Sequence, residues 1–380
     1  MRIAYITAYN PAEMASYSET DYYISQAFKN AGSSVEFIGN LEKNFLSFYK
    51  LKRELYNVVY SENYSIEREP EIAKSYARQI HKRLEDLGNI DIIFASSPIN
   101  AAYLVSHKPI VYWTDAVFAG VINIDPQYAN LSFESVKKGN AIEQAALTNC
   151  KLAVYSSGWG AKTALINYNI NPDKIKVVPF GANVDNPRKF AEVKEAIYGR
   201  SAAVCKLLFV GEDWERDGGK SALKITEMLN NLGTTTELHV VGNFPELKKA
   251  PAFVKQHGRL SRRNKSAKEY LERLFLNSHF LISLSEIDYS GRLCAEANAY
   301  GLPAIALSVG GLPSIITDGL NGKLFPTEAR IDEIVSYIAE KFSSEMSYRE
   351  LCLSSYNEYD AHLNWKAAAK QVLTHMEKIL

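Results

Sequence analysis

Two carboxylates and a run of backbone amides pose the first chemical question in this chain. Asp288 and Glu296 stand with seven residues between them, and between them Gly291 opens a stretch of helix formers, Arg292-Leu293-Cys294-Ala295-Glu296-Ala297-Asn298-Ala299. The first N–H groups of a helix have no intrahelical partner and carry the positive end of its dipole, so they form a natural seat for a phosphate. Taken alone, two acids near a helix start are more simply solvated surface charges. The stretch around them decides otherwise.

That stretch must position the acids. Residues 280–284 are a short apolar run, long enough for a buried strand, and residues 285–290 are polar and loop-like. Gly301-Leu302-Pro303 stops the helix, and a second apolar run reaches Leu307. Strand, loop, helix, strand is a parallel crossover unit, with the helix start facing the polar loop.

The whole run, Asp288…Glu296-Ala-Asn-Ala-Tyr-Gly-Leu-Pro-Ala-Ile, followed by Gly310-Gly311-Leu312-Pro313…Asp318-Gly319…Asn321-Gly322, resembles the signature of glycosyltransferase family 4. The resemblance implies the GT-B fold, an α/β architecture of two doubly wound Rossmann-like domains facing a central cleft. It implies that Glu296 binds the nucleotide ribose and Asp288 the donor sugar hydroxyls. It places the diphosphate on the backbone of Ser290, Gly291, Arg292 and Leu293. The spacing makes physical sense, since a carboxylate accepts from paired hydroxyls while free amides take phosphate oxygens.

Composition narrows the partners. The 380 residues are enough for two domains with separate cores. Lys plus Arg, 43, equals Asp plus Glu, 43, which argues against a general nucleic-acid binder. Cys150, Cys205, Cys294 and Cys352 lack metal-ligand spacing and suggest a reducing compartment. No apolar run approaches the roughly 20 residues of a membrane span. Met1 leads straight into a strand, leaving no room for a signal peptide, so the expectation is a cytoplasmic protein.

The first half alternates strand and helix from residue 3. A long polar loop, 8–20, follows the first strand and is a site candidate, because open parallel sheets bind ligands beyond the carboxyl ends of their strands. Its Ser16, Ser18, Glu19 and Thr20 resemble a variant of the family's first loop, on the acceptor side. Glu19 stands where the family usually carries Gly; a helix-start acid favoured by the dipole explains it equally well. Residues 41–60 are rich in aromatics and Lys/Arg. They either touch lipid or an acceptor, or form an ordinary amphipathic helix packed on its own domain, the simpler of the two. The strand 110–113 ends at Thr114-Asp115, which resembles the family's mid-domain strand, often closed by His or Asp near the donor sugar. The competing reading of Asp115 is a turn residue. Pro179-Phe180-Gly181-Ala182-Asn183 resembles the interdomain crossing, giving an acceptor-side domain 1–183 and a nucleotide-sugar domain 184–363, with a last helix at about 364–380 packed back on the first.

One departure matters. The family usually carries Arg directly after the Gly matched by Gly211, and Lys just before the following Gly, to neutralise the leaving diphosphate. Here those positions hold Glu212 and Asp217. Arg216, Arg292 and Lys220 are the substitutes, each alternatively a solvated surface cation. Other chemistries find little support: no G-x-S-x-G elbow occurs, Gly219-Lys220-Ser221 lacks the upstream Gly of a P-loop, and His239, His257 and His279 read as isolated structural residues.

The expectation is a retaining glycosyltransferase of polysaccharide or glycoconjugate biosynthesis. Its donor would be a UDP- or GDP-sugar, its acceptor a glycan, lipid-linked or small-molecule hydroxyl, with no metal and no further cofactor. Asp115 and Asp288 would serve the reacting sugar. Contact with the inner face of the membrane would run through 41–60. The alternatives are a sugar-nucleotide epimerase on the same fold and a non-catalytic nucleotide-sugar-binding protein.

Overall fold

The computed structural model describes residues 1–10, 19–122, 124–245, 250–261 and 264–380. The chain divides into two compact units, Met1–Pro179 with Trp365–Leu380, and Phe180–Asn364.

The first unit is built on a six-stranded sheet, β1 Arg2–Ile6, β2 Ser34–Ile38, β3 Ile92–Ala95, β4 Ile110–Thr114, β5 Leu152–Tyr155 and β6 Ile175–Val177. The order is β2-β1-β3-β4-β5-β6 and every pairing is parallel. The interior strands β3, β4 and β5 are apolar nearly throughout because helices cover both their faces. The helix Trp365–Glu377 belongs to this unit: Trp365 stacks on Tyr23 at 6.2 Å and meets Trp113 edge-on at 5.7 Å.

The second unit repeats the plan with β7 Cys205–Gly211, β8 Thr236–Gly242, β9 Val254–Gly258, β10 Phe280–Ser283, β11 Ala304–Leu307 and β12 Gly322–Phe325. Its order, β12-β11-β10-β7-β8-β9, is that of the doubly wound dinucleotide-binding sheet. The edge strands β9 and β12 escape a sequence reading: half exposed, Val-Lys-Gln-His-Gly and Gly-Lys-Leu-Phe carry no apolar run. The helix Glu345–Ala361 escapes it too, its tyrosines and serines blurring the periodicity.

The segment 41–60 forms the helix Leu46–Leu55 and one π-helical turn, Tyr56–Tyr60. One face packs on its own domain, as the simpler expectation has it: Tyr49 is buried in the core, and Leu46 and Tyr56 lie against it. The other face is unusually apolar for a solvent side, with Phe48, Leu51, Leu55 and Val58 63%, 72%, 54% and 78% exposed.

Candidate donor and acceptor sites

In each sheet the chain starts at an interior strand, winds outward one way, then returns to wind the other way. The second unit reverses between β7 and β10, where the loops 211–219 and 284–291 leave adjacent strand ends. This is where a ligand crevice forms in such sheets.

Backbone approach shapes the second of these loops. A Cβ on Gly310 would lie 2.0 Å from the Asp288 carbonyl oxygen, and one on Gly311 2.1 Å from that of Tyr289. Only residues without a side chain fit there, and Gly310 also has φ +49°. The Gly311 N–H donates to the Asp288 carbonyl at 2.8 Å, tying the two segments. Behind the helix Arg292–Asn298, the buried amide of Asn298 donates to the carbonyls of Leu302 and Asn321, while Asn321 donates back to Asn298 Oδ1 at 2.9 Å. The small residues, glycines and asparagines of the motif therefore have a structural task before any chemical one.

Asp288 turns inward on its own loop. Its Oδ1 accepts from the Ser290 N–H at 3.1 Å and the Gly291 N–H at 2.7 Å. Burial pushes the carboxyl above its ordinary range, against the two amides and the Arg292 charge that hold it down. Two of the amides expected for the diphosphate are thus already used. The helical ladder starts with Cys294 and Ala295 donating to the Gly291 carbonyl, so the Arg292 and Leu293 N–H groups lie ahead of it. Arg292 Nε stands 3.8 Å from Glu296 Oε1, and the Glu296 side chain is only 3% exposed. Asp288, Arg292 and Glu296 form a sequence of acid, base and acid on one turn and its approach.

The loop 211–219 is equally self-contained. Asp217 Oδ2 accepts from the N–H groups of Glu212 and Asp213, both at 2.9 Å, and Oδ1 from Arg216 Nε at 3.3 Å. The Asp217 charge, expected to repel a diphosphate, instead fixes the loop. Gly218, at φ +87°, presses on the end of β10, where a Cβ would meet the Leu284 carbonyl at 2.5 Å. The Ser285 hydroxyl donates to the Arg216 carbonyl at 3.4 Å, so the two loops touch. Lys220 pairs with Glu215 at 2.5 Å, both well exposed, an arrangement contributing little.

In the first unit the sheet reverses between β1 and β3. Asp115 follows β4, half-buried, its carbonyl oxygen close enough to Gly160 that a Cβ there would approach to 2.7 Å. Glu19 and Thr20 open the helix Glu19–Asn30. Ser16 and Ser18 lie outside the described residues. The residue that sequence reasoning passed over is Asp21, next in the same first turn. It accepts from Tyr5 Oη at 3.0 Å and Thr7 Oγ1 at 3.2 Å, and burial pushes its carboxyl up to about 6. In sequence it hides as one more acid at a helix start.

The histidines need one correction. His239 and His257 are not isolated: their rings stack and share a hydrogen bond at 3.0 Å, and His257 also meets Tyr270 at 2.8 Å. His279 is structural, accepting at Nδ1 from the Lys206 N–H at 2.9 Å and held neutral by burial, its pKa lowered to about 3. Among the described residues no cluster of His, Cys, Asp and Glu could hold a metal ion. No described helix is long and apolar enough to cross a membrane.

Comparison with known proteins bears on this architecture at two levels. Overall the fold is GT-B, two Rossmann-like domains, shared along the whole chain with solved structures. Sucrose-phosphate synthase from Thermosynechococcus elongatus matches with a TM-score of 0.70 at 15% identity, covering 100% of this chain and 98% of that one. Anabaena HepE in complex with UDP and glucose matches with a TM-score of 0.61 at 12% identity, covering 100% of both chains. More narrowly, the family model described as glycosyl transferases group 1 matches residues 192–355, within the second unit. A curated relative, an uncharacterized 41.2 kDa protein in the cps region of Klebsiella pneumoniae, is 26% identical over 226 residues, 57% of this chain. The chain spans about 60% of that relative's length.

Proposed function

We propose that this chain is a retaining glycosyltransferase of the family 4 kind. It would move a sugar from a nucleotide-diphospho-sugar, UDP-linked or GDP-linked, to a hydroxyl of a glycan, lipid-linked or small-molecule acceptor. The observation that carries the reading is the grouping of Asp288, Arg292 and Glu296 at the β7/β10 reversal, inside the region matched by the glycosyl transferase model. HepE, of the same fold, is described with UDP and glucose, which supports a nucleotide-sugar donor.

The roles are those the resemblance implies, laid onto these residues. Glu296, nearly closed off from water, accepts from the ribose hydroxyls. The Arg292 and Leu293 N–H groups meet the diphosphate, with Arg292 and Arg216 as counter-charges. Asp288 sets the loop through Oδ1 and meets the sugar through Oδ2. The acceptor proton passes to the departing phosphate on the same face, and the fixed amides and guanidinium groups stabilise the charge that develops. In the first unit Asp115 supports the reacting sugar, and Glu19 and Thr20 flank the acceptor. The exposed apolar and basic segment 41–60 is the surface for peripheral contact with a lipid-linked acceptor's membrane; binding to anionic vesicles, lost on Leu51→Glu, tests that part.

The test of the whole reading is a donor panel. UDP- and GDP-sugars are screened by thermal shift, then for nucleotide release with hydroxyl acceptors. Acceptor-dependent release with retention at the anomeric carbon is the expected result. Conversion of donor without any acceptor would identify an epimerase instead. Binding without turnover would identify a carrier, the reading favoured by Arg216 and Arg292 being engaged by Asp217 and Glu296.

A further inference from the structure

The β1/β3 reversal of the first unit holds a cavity of about 80 Å³. On that measure a single water needs roughly 10–15 Å³, so there is room for several waters or for much of one small polyhydroxylated ring. Ala8 and Tyr9, after β1, form one wall; Ser96, Ser97 and Asn100, after β3, form another; Tyr76 closes the back. None of these positions belongs to the family signature described above.

Asn100 sets the problem. It is 2% exposed, and its Nδ2 has no hydrogen-bond partner among the described residues. A buried amide donor left unmet is costly and is retained where something else meets it. The remaining lining says what. Lys43 and Glu67, at the rim, pair with each other at 3.2 Å, so the rim presents both signs and no net charge, a poor seat for a phosphate. Ser97 Oγ accepts from the Ile99 N–H at 3.2 Å and keeps its proton to donate, Ser96 bonds to Asp21, the two tyrosine hydroxyls both donate and accept, and Ile99 adds an apolar patch. The Tyr9 ring, 46% exposed, offers an apolar face. Mixed donors and acceptors, an aromatic face and no net charge match a neutral sugar ring.

We propose that this cavity is a subsite for a neutral pyranose unit of the acceptor, with Asn100 Nδ2 donating to one of its hydroxyls. The assignment rests on the glycosyltransferase reading for its biological sense, but its test does not depend on turnover.

The probes are the methyl glycosides of glucose, galactose, mannose and N-acetylglucosamine, with UDP as a reference ligand, followed on the full chain by saturation-transfer NMR. At least one glycoside should bind, and Asn100→Leu, similar in size but without the donor, should weaken it about fivefold, the effect of one hydrogen bond, while UDP binding stays unchanged. Should Asn100→Leu fail to fold, Tyr9→Ala, at an exposed ring, should weaken the glycoside by a similar factor. UDP binding with no glycoside binding overturns the subsite and leaves the donor site standing. Glycoside binding unaffected by either variant also overturns it. Glycoside binding that responds to the variants, with no nucleotide bound, upholds the subsite and removes the donor reading.

Discussion

The two sheet reversals solve opposite problems. At β7/β10 the acids and bases are engaged within their own loops: Asp217 holds the amides of Glu212 and Asp213, Asp288 holds those of Ser290 and Gly291, and Arg292 faces Glu296. At β1/β3 the packing leaves a cavity and an Asn100 amide without a partner among the described residues. A pre-ordered loop suits a ligand held by backbone and a few fixed charges, because little is left to arrange on binding. A cavity with unmet side chains suits a ligand read by its hydroxyls. The difference teaches that one chain can offer two unlike kinds of site, one set in advance by backbone and one left open among side chains.

The sharpest way to break this contrast is at Glu296. Glu296→Ala should weaken nucleotide-sugar affinity by about tenfold to more than a hundredfold, roughly 1.5–3 kcal/mol for hydroxyls bonded to a charged carboxylate, in a chain that still folds. Calorimetry with the donor checks it; unchanged affinity would remove the ribose from this position. Asp115→Asn, in the other unit, should lower kcat about tenfold while donor affinity survives, because its task lies in the transition state. An untouched kcat would leave Asp115 a turn residue.

The cations grade the pre-ordered loop. Arg216→Ala should cost about tenfold in kcat/KM, about 1.4 kcal/mol, since it removes a phosphate counter-charge and one of the bonds to Asp217. Arg292→Ala should cost less. Lys220→Ala should be nearly silent, its ammonium being spent on exposed Glu215. Asp217→Lys would restore the cation usual in the family, yet here it strips two amides of their acceptor, so donor binding should weaken. A tighter complex for Asp217→Lys would show that the loop is not held as the hydrogen bonds indicate.

What sequence could disclose follows the same divide. Where backbone approaches backbone, glycine is obligatory, and so Gly310 and Gly311 marked the β7/β10 loops in advance, as did Gly291 through its positive φ of +64°. Apolar interior strands were equally legible, while the polar edges β9 and β12 were not. The partnership of Asp217 with amides four and five residues earlier was hidden, because a carboxylate's partner depends on loop geometry rather than on its neighbours in sequence. The β1/β3 cavity was signalled only by the loop 8–20 after the first strand; the rest of its lining was hidden. Tyr9, Tyr76 and Asn100 come from three separate elements, and no spacing rule joins them.

The smallest predicted effect concerns Asp21, and it bears on whether the first unit truly harbours a strained acid. An exposed or unfolded Asp titrates near 3.8, whereas the folded chain holds Asp21 near 6. Burial disfavours the charged form more than the bonds from Tyr5 and Thr7 favour it. Well below pH 3.8 the carboxyl is protonated in both states and its contribution to stability is fully present. As pH rises from 4 to 6 the unfolded chain releases the proton first, and the contribution is lost by the time pH passes the folded value. Asp21→Asn cannot ionise, so its melting temperature should fall less than that of the parent chain across this window. The difference should amount to about 1 kcal/mol, below what the whole shift would give, because the side chain stays partly open to solvent. Parallel melting curves for the two proteins from pH 4 to pH 7 would show instead that Asp21 ionises as freely folded as unfolded.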